Sequence, residues 1–138
     1  MSTFNIENFL SKPLTRPVAY GFYEAVKITA TRLQVETVNN TQRLRLDIEL
    51  DINNRPFKKC FFNKGVEIAL EQLMRQLDTD ALRPDELVAY LVDKTVNVTI
   101  YDNTWYDAAA GVERHEKAVA FTATEYKPKD VADTSAMV

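Results

Sequence analysis

Residues 94–126, KTVNVTIYDNTWYDAAAGVERHEKAVAFTATEY, decide the fold of this chain. Apolar side chains occupy every second position at both ends of the stretch: Val96, Val98 and Ile100 at the start, and Val119, Phe121 and Ala123 at the end. A period of two predicts two β-strands, each with one apolar face. Residues 102–116 lack this alternation, so we predict that they form a long loop that presents Trp105 and Tyr106 for recognition.

Three more strands are predicted before this stretch. Residues 18–35 alternate but change parity near Leu33, which indicates a bend or bulge of the kind found in small barrels. Residues 43–52 alternate most strictly, with leucine and isoleucine on one face and charged residues on the other. A turn at residues 53–54 and a return strand at residues 57–62 would complete a hairpin.

Helical spacing separates the third strand from the fourth. A stripe of apolar residues predicts a helix from the N-cap Asn63 to about Leu77. A second, short helix is predicted from Pro84 to about Val92. The resulting class is mainly β, with the sequence order β-β-β-α-β-β, and this order predicts a five-stranded OB-fold-like barrel. A β-sandwich is disfavoured, because it would need about seven strands.

The composition is that of one ordinary globular domain. The chain has 138 residues, 46% apolar and 27% charged, which is enough for one core. We predict a lead-in at residues 1–17, the barrel at 18–126 and a flexible tail at 127–138. We expect no membrane helix and no secretory signal. A single cysteine suits a reducing cytoplasm, which is the predicted location.

Catalytic chemistry is scarce in the sequence. With one histidine and one cysteine, neither a histidine cluster nor a CxxC metal site is possible. We predict that His115 is an exposed loop residue and that Cys60 fills an apolar space in its strand. Alternate carboxylates such as Asp47 and Glu49 are typical of a solvated strand face. The sequence therefore predicts no enzyme, no catalytic residue, no metal and no cofactor.

Aromatic and basic residues on strands and loops stand out. Such mixtures hold single nucleic-acid strands, because bases stack on aromatic faces and cations follow the phosphates. The net charge of −3 is unfavourable, but phosphate binding depends on a local basic stripe. In the alternative interpretation, Arg43 and Arg45 pair with nearby acidic residues. The predicted nucleic-acid-binding residues are Arg43, Arg45, Lys58, Lys59, Tyr101, Trp105, Tyr106, Arg114 and Lys117.

The layout resembles the OB-fold single-stranded DNA-binding proteins, particularly those of bacteriophages. The long first strand, the strict strand 44–52, the strand FKKCFF at 57–62, the helix NKGVEIALEQLMRQL and the final hairpin carry the resemblance. It implies binding across the exposed strand face and the hairpin loops at residues 36–42 and 102–116. Members of that family often end in an acidic tail that recruits partners, whereas this chain ends in DVADTSAMV, with two acidic residues.

The predicted function is therefore non-sequence-specific binding of single-stranded DNA, or RNA, in replication or recombination. Replication or recombination proteins are expected partners, no membrane is involved, and a phage-encoded protein would act in the cytoplasm of its bacterial host. A homodimer or higher homo-oligomer is expected, because one such fold covers only about 4–16 nucleotides. A protein-interaction module, such as a phage-encoded inhibitor of a host factor, is the alternative, since the negative charge and aromatic loop also suit a protein surface.

Overall fold

A computed structural model describes residues 4–11, 13–14 and 16–128, in which five antiparallel strands form a curled half-barrel. The strands are β1 (Gly21–Val38), β2 (Thr41–Ile52), β3 (Arg55–Phe62), β4 (Thr95–Asp107) and β5 (Val112–Ala120); the helices are α1 (Ile6–Ser11), α2 (Lys64–Gln76) and α3 (Pro84–Leu91). The strand order is β3-β2-β1-β4-β5, so β3 and β5 are the two edges of the sheet. The predicted class, mainly β and OB-like, is confirmed.

β1 bends the sheet, because it pairs with β4 along its first half and with β2 along its second. Its register shifts at residues 23–26 against β4 and at residues 28–30 against β2. Ala25 has a φ of 53°, and its N–H donates to the side chain of Asn97 at 3.0 Å instead of to the ladder. An irregularity in the first strand is confirmed, but it lies before the predicted position near Leu33, where pairing with β2 is regular. The two shifts allow one strand to serve both sides of the half-barrel.

The core lies on the inner face of the sheet and is closed by the two longer helices. Fully buried side chains come from every part of the barrel, among them Ile28, Leu46, Ile48, Leu73, Leu87, Val98, Ile100 and Phe121. The side chain of Gln76, at the end of α2, bonds the backbone N–H and carbonyl of Asn97 at 2.8 and 2.7 Å. The glutamine therefore acts as a strand partner for β4 where β5 does not reach.

The two tight hairpins that flank β2 each use an Asn-Asn pair. Asn39, Asn40, Asn53 and Asn54 all have positive φ angles, as the two-residue turns of twisted hairpins require. The predicted turn at residues 53–54 is confirmed. The first loop, predicted at residues 36–42, is smaller than expected, because β1 and β2 stay paired up to Val38 and Thr41.

Asn63 precedes α2 but its side chain does not cap the helix, contrary to the prediction. It has a φ of 49°, a conformation that asparagine tolerates better than most residues. Its side-chain oxygen accepts the N–H of Leu44 at 2.9 Å, and its own N–H donates to the Leu44 carbonyl at 2.9 Å. Asn63 therefore fastens the start of α2 to β2.

The segment predicted as a long loop, residues 102–116, is a paired β-ribbon. Pairing continues along β4 to Asp107 and begins in β5 at Val112, so only residues 108–111 form the turn. The Asp107 carboxylate accepts two N–H groups of this turn at 3.1 and 3.2 Å. The prediction of a loop was wrong because a two-stranded ribbon with solvent on both faces has no alternation of apolar residues. We call residues 102–117 the ribbon.

The barrel is preceded by α1 and followed by a short stretch of described residues that ends at residue 128. The N-terminal segment forms α1, which has no buried residue, and Phe4 contacts Phe9 with ring centroids 5.6 Å apart. At the other end, β5 stops at Ala120, earlier than the alternation to Ala123 suggested. The tail predicted at residues 127–138 lies outside the described residues except for its first two.

Candidate nucleic-acid interface

The outer face of β1, β2 and β3 holds both predicted arginines, and each is paired with a carboxylate. Arg43 Nε donates to Glu36, and Arg45 lies 3.7 Å from the same carboxylate. This confirms the alternative interpretation, in which Arg43 and Arg45 pair with nearby acidic residues. The Arg43 guanidinium also lies 4.2 Å from the ring centroid of Phe62, which is 39% exposed. A ring beside a cation can stack on a base, although Glu36 neutralises part of the charge that phosphates would need.

Cys60 lies on this outer face and does not fill the core, contrary to the prediction. Its thiol donates to Asp47 Oδ1 at 2.7 Å, and Arg45 Nε donates to the same oxygen at 3.0 Å. Burial acts to raise the pKa of Asp47, but the hydrogen bonds from Cys60 and Arg45 outweigh it and hold the pKa below its ordinary value of 3.8. The hydrogen bond to Asp47 raises the pKa of the Cys60 thiol, so this cysteine is a hydrogen-bond donor and not a reactive thiolate.

Asp47→Asn is expected to lower the free energy of unfolding by about 1–3 kcal/mol at pH 7, because Arg45 and Cys60 lose their charged acceptor. A folded-state pKa below the unfolded value means that Asp47 stabilises the protein fully above 3.8 and loses this effect as the pH falls through the folded pKa. Urea unfolding at pH 7 and pH 3 should therefore show a smaller difference between wild type and variant at pH 3. An equal difference at both pH values would contradict this. Asp51→Asn, also in β2, is the control, with an expected change within about 0.5 kcal/mol.

The two adjacent lysines of β3 point to opposite faces. Lys58 is exposed on the outer face, where a phosphate could reach it. Lys59 points inward and crosses the gap between the sheet edges, where its Nζ donates to the Lys117 carbonyl at 3.0 Å and lies 3.5 Å from the Glu116 carboxylate. Of these two predicted binding residues, Lys59 instead joins β3 to β5.

Lys59→Met is expected to lower the free energy of unfolding by about 1–3 kcal/mol, because the charged hydrogen bond across the gap is lost. Lys58→Met, one position away in the same strand, is the matched control and should change it by no more than about 0.5 kcal/mol. Urea denaturation of the two variants at neutral pH measures the difference. Equal effects would show that Lys59 does not close the barrel.

The side chains of two more predicted binding residues make contacts within the protein. Lys117 Nζ donates to the carbonyl of Val18 and lies 5.3 Å from the ring centroid of Tyr20. Tyr101 packs against Tyr126, with ring centroids 4.9 Å apart, and burial raises its pKa. Both residues therefore support the base of the ribbon and offer little free surface to a ligand.

Trp105 and Tyr106 are both exposed on the ribbon, 44% and 68% respectively. They lie on opposite faces, because consecutive strand residues alternate. Trp105 is directly opposite Arg114, and Tyr106 is opposite Glu113. Arg114 Nε donates to Asp107 at 3.2 Å, which holds the guanidinium on the Trp105 face. One base cannot stack on both aromatic rings, so the Trp-Tyr pair is not a single platform.

His115 lies on the ribbon and not in a loop, but the prediction that it is exposed is confirmed by a side-chain exposure of 56%. Its Nδ1 is 3.1 Å from Thr104 Oγ1 and 3.1 Å from Asp102 Oδ2, and its Nε2 is 3.4 Å from Glu113. This cluster orders polar side chains on the Tyr106 face. Within residues 4–11, 13–14 and 16–128, no group of three or more histidine, cysteine or carboxylate side chains has an arrangement that could hold a metal ion.

The structure thus separates the predicted residues into three groups. Arg43, Arg45 and Lys58 lie on the outer face of the barrel; Lys59, Lys117 and Tyr101 serve the fold; Trp105, Tyr106 and Arg114 lie on the ribbon. The exposed aromatic rings of Phe62 and Tyr20 were not among the predicted binding residues. The parity of FKKCFF would have placed Phe62 outside, because Phe57 and Phe61 face inward.

No protein-family model matches this chain, and no curated protein or solved structure matches it. Among the described residues, no helix has the length and apolar character needed to cross a membrane. The ribbon and the outer face of β1–β3 are two surfaces of the described residues that carry exposed aromatic and basic side chains together.

Proposed function

We propose that this protein binds single-stranded nucleic acid without sequence specificity and that Trp105 is its main stacking residue. The observation that carries the proposal is an exposed tryptophan beside Arg114 on a ribbon that projects from an OB-like half-barrel. Exposed aromatic surface often marks a binding site, and base stacking on an aromatic ring contributes about 1–3 kcal/mol. Such binding requires no catalytic residue, metal or cofactor.

The outer face of the barrel supplies the proposed second contact. Phe62 lies beneath Arg43, and Lys58 is exposed on the same face. A strand that stacks on Trp105 and Phe62 would bring its phosphates near Arg114, Arg43 and Lys58. Stacking and phosphate contacts suit DNA and RNA alike; single-stranded DNA of replication or recombination is the proposed ligand, in keeping with the resemblance to bacteriophage single-stranded DNA-binding proteins.

The charge of the ribbon limits how much phosphates can contribute. Its carboxylates are Asp102, Asp107, Glu113 and Glu116, and its permanent cations are Arg114 and Lys117, so two positive charges minus four negative give −2 with His115 neutral. Arg43 and Arg45 are also paired with carboxylates. Binding should therefore depend more on stacking than on counterion release.

Titration with an oligo-dT, followed by the fluorescence of Trp105 at several salt concentrations, tests the proposal. We expect quenching on binding, and a slope of log Kobs against log salt between about −1 and −3, since each phosphate contact with a single strand contributes about −0.7. A duplex of equal length should bind more weakly, because its bases cannot stack on the protein. The absence of both quenching and a gel shift at micromolar protein would contradict the proposal.

A protein-interaction module, for example a phage-encoded inhibitor of a host factor, is the second candidate. The acidic ribbon with its exposed aromatic residues favours it, because such a surface complements a basic partner protein. The same titration separates the two functions. A protein-binding ribbon should leave the Trp105 emission unchanged by oligo-dT at every salt concentration.

A further inference from the structure

The two faces of the ribbon differ in how their carboxylates are paired. Strand alternation places Asp107 and Glu116 on the face that carries Trp105. Each of them has a permanent cation beside it: Arg114 Nε lies 3.2 Å from Asp107, and Lys59 Nζ lies 3.5 Å from Glu116. The two carboxylates on the opposite face share the ribbon's histidine, which is not permanently charged. A polyanion is therefore repelled less by the Trp105 face than by the other.

The segment that follows β5 continues the Trp105 face at the base of the ribbon. The carbonyl of Ala123 accepts a hydrogen bond from Asn97 Nδ2 at 3.0 Å. Three residues later, the N–H of Tyr126 donates to Thr99 Oγ1 at 2.9 Å. Asn97, Thr99 and Trp105 are odd-numbered residues of β4, so their side chains lie on one side of the strand. The segment therefore runs along that side of β4 in the direction of the ribbon.

Tyr126 presents an aromatic ring on this face. The ring packs on that of Tyr101, with centroids 4.9 Å apart, and Tyr126 remains 37% exposed. Tyr101 and Trp105 are four residues apart in a strand that pairs with β5 without a register shift, so their Cα atoms are about 13 Å apart on one face. Arg114 lies opposite Trp105, and the exposed Lys127 follows Tyr126. The face thus carries two aromatic rings, each with a cation next to it.

We propose that a single nucleic-acid strand runs along this face of β4, with one base stacked on Trp105 and a second base stacked on Tyr126. Tyr101 is then a positioning residue, because its ring supports that of Tyr126. The inference rests on the proposed function and adds to it a second stacking residue and a path for the strand. At the 3.4 Å rise of a stacked strand, about 13 Å corresponds to roughly four nucleotides. That length lies at the lower end of the range of about 4–16 nucleotides bound by one such fold.

Binding of a labelled eight-nucleotide oligo-dT, measured by fluorescence anisotropy, tests the role of Tyr126. Tyr126→Ala should weaken binding by about fivefold or more, because one base stack is lost. Tyr126→Phe keeps the ring and should bind like the wild type. Tyr126→Leu keeps an apolar contact with Tyr101, so it should stay folded, but it should weaken binding as Tyr126→Ala does. Wild-type affinity of Tyr126→Leu would overturn the second stack. Tyr20→Ala, which changes a 57% exposed tyrosine beside Lys117, is the control and should leave the affinity unchanged.

The separation of the two rings gives a second measurement, which a structural role of Tyr126 would not reproduce. The two bases of the dinucleotide TpT are neighbours and cannot reach both rings. Quenching of Trp105 by TpT should therefore be the same in Tyr126→Ala and in the wild type, whereas the eight-nucleotide oligo-dT should bind the variant more weakly. Weaker binding of both ligands would show that the substitution disturbs the ribbon at Trp105, and would overturn the second stack.

The wild-type protein separates this inference from the proposed function. If it bound neither TpT nor the eight-nucleotide oligo-dT, the proposed function would be overturned together with the second stack. If it bound the longer ligand and Tyr126→Ala bound it equally well, only the second stack would be overturned.

Discussion

Trp105→Ala is expected to weaken binding of an oligo-dT by about 5- to 150-fold, because it removes a base stack that contributes about 1–3 kcal/mol. The side chain is 44% exposed and has no apolar core beneath it, so the free energy of unfolding should change by no more than about 0.5 kcal/mol. Because the variant lacks the only tryptophan, the affinity is measured by fluorescence anisotropy of a labelled oligonucleotide.

Two other aromatic residues serve as controls for Trp105. Tyr106→Ala, on the opposite face of the ribbon, should weaken binding by less than about threefold. Tyr90→Ala, which changes a 41% exposed residue on α3, should leave the affinity unchanged. Unchanged affinity of Trp105→Ala would disprove its stacking role. A loss of about 3–5 kcal/mol in stability would identify Trp105 as a core residue instead.

Phe121→Ala is expected to lower the free energy of unfolding by about 3–5 kcal/mol, because it leaves a cavity in the core. Phe121 is 1% exposed and lies just after β5, where its ring centroid is 5.9 Å from that of Phe61 in the opposite edge strand. Its N–H donates to the side chain of Gln72 in α2 at 2.9 Å. The residue therefore packs together β3, the end of β5 and the helix, and urea denaturation measures its contribution.

Phe62→Ala is the matched control for Phe121. Phe62 is a phenylalanine of the same barrel, but it is 39% exposed on the outer face, so its truncation should cost less than about 1 kcal/mol. If the two variants lost similar stability, Phe121 could not be the residue that fills the gap between the sheet edges. Phe121→Leu should fall between the two, since it keeps most of the buried volume.

Strict alternation of apolar and polar residues predicted the strands that have one solvent-exposed face and one buried face. β2 is the clearest case, since Leu46, Ile48 and Leu50 are buried as their spacing indicates. The prediction for Cys60 was wrong because Lys59 stands between Phe57 and Phe61, the two apolar residues of β3 that face inward. A lysine can occupy that inward position because β3 is an edge, and its Nζ reaches a carbonyl across the gap. Sequence periodicity contains no information on such a cross-edge contact.

The exposure of Trp105 follows from its sequence surroundings, a polar segment with no apolar pattern. The sequence does not show that Trp105 and Tyr106 lie on opposite faces of the ribbon. That arrangement depends on residues 102–107 forming a strand, which only the backbone pairing shows. The pairing of Arg43 with Glu36 likewise depends on the register of β1 against β2. Composition therefore pointed to Trp105 and Tyr106, which the structure leaves exposed, but it overestimated the free positive charge on the outer face, where Arg43 and Arg45 are paired.

The ribbon rests on no buried layer, since its residues from Asp102 to Glu116 are all exposed or half-buried. Its cross-strand hydrogen bonds can therefore open without unfolding the barrel, at a free energy well below that of global unfolding. Its backbone amides should exchange with deuterium sooner than those of β2. A ligand that stacks on Trp105 must also halt this opening, so part of its intrinsic binding free energy is consumed in ordering the ribbon. Slowed amide exchange in residues 102–117 would then record occupancy even for ligands too weak to isolate in complex.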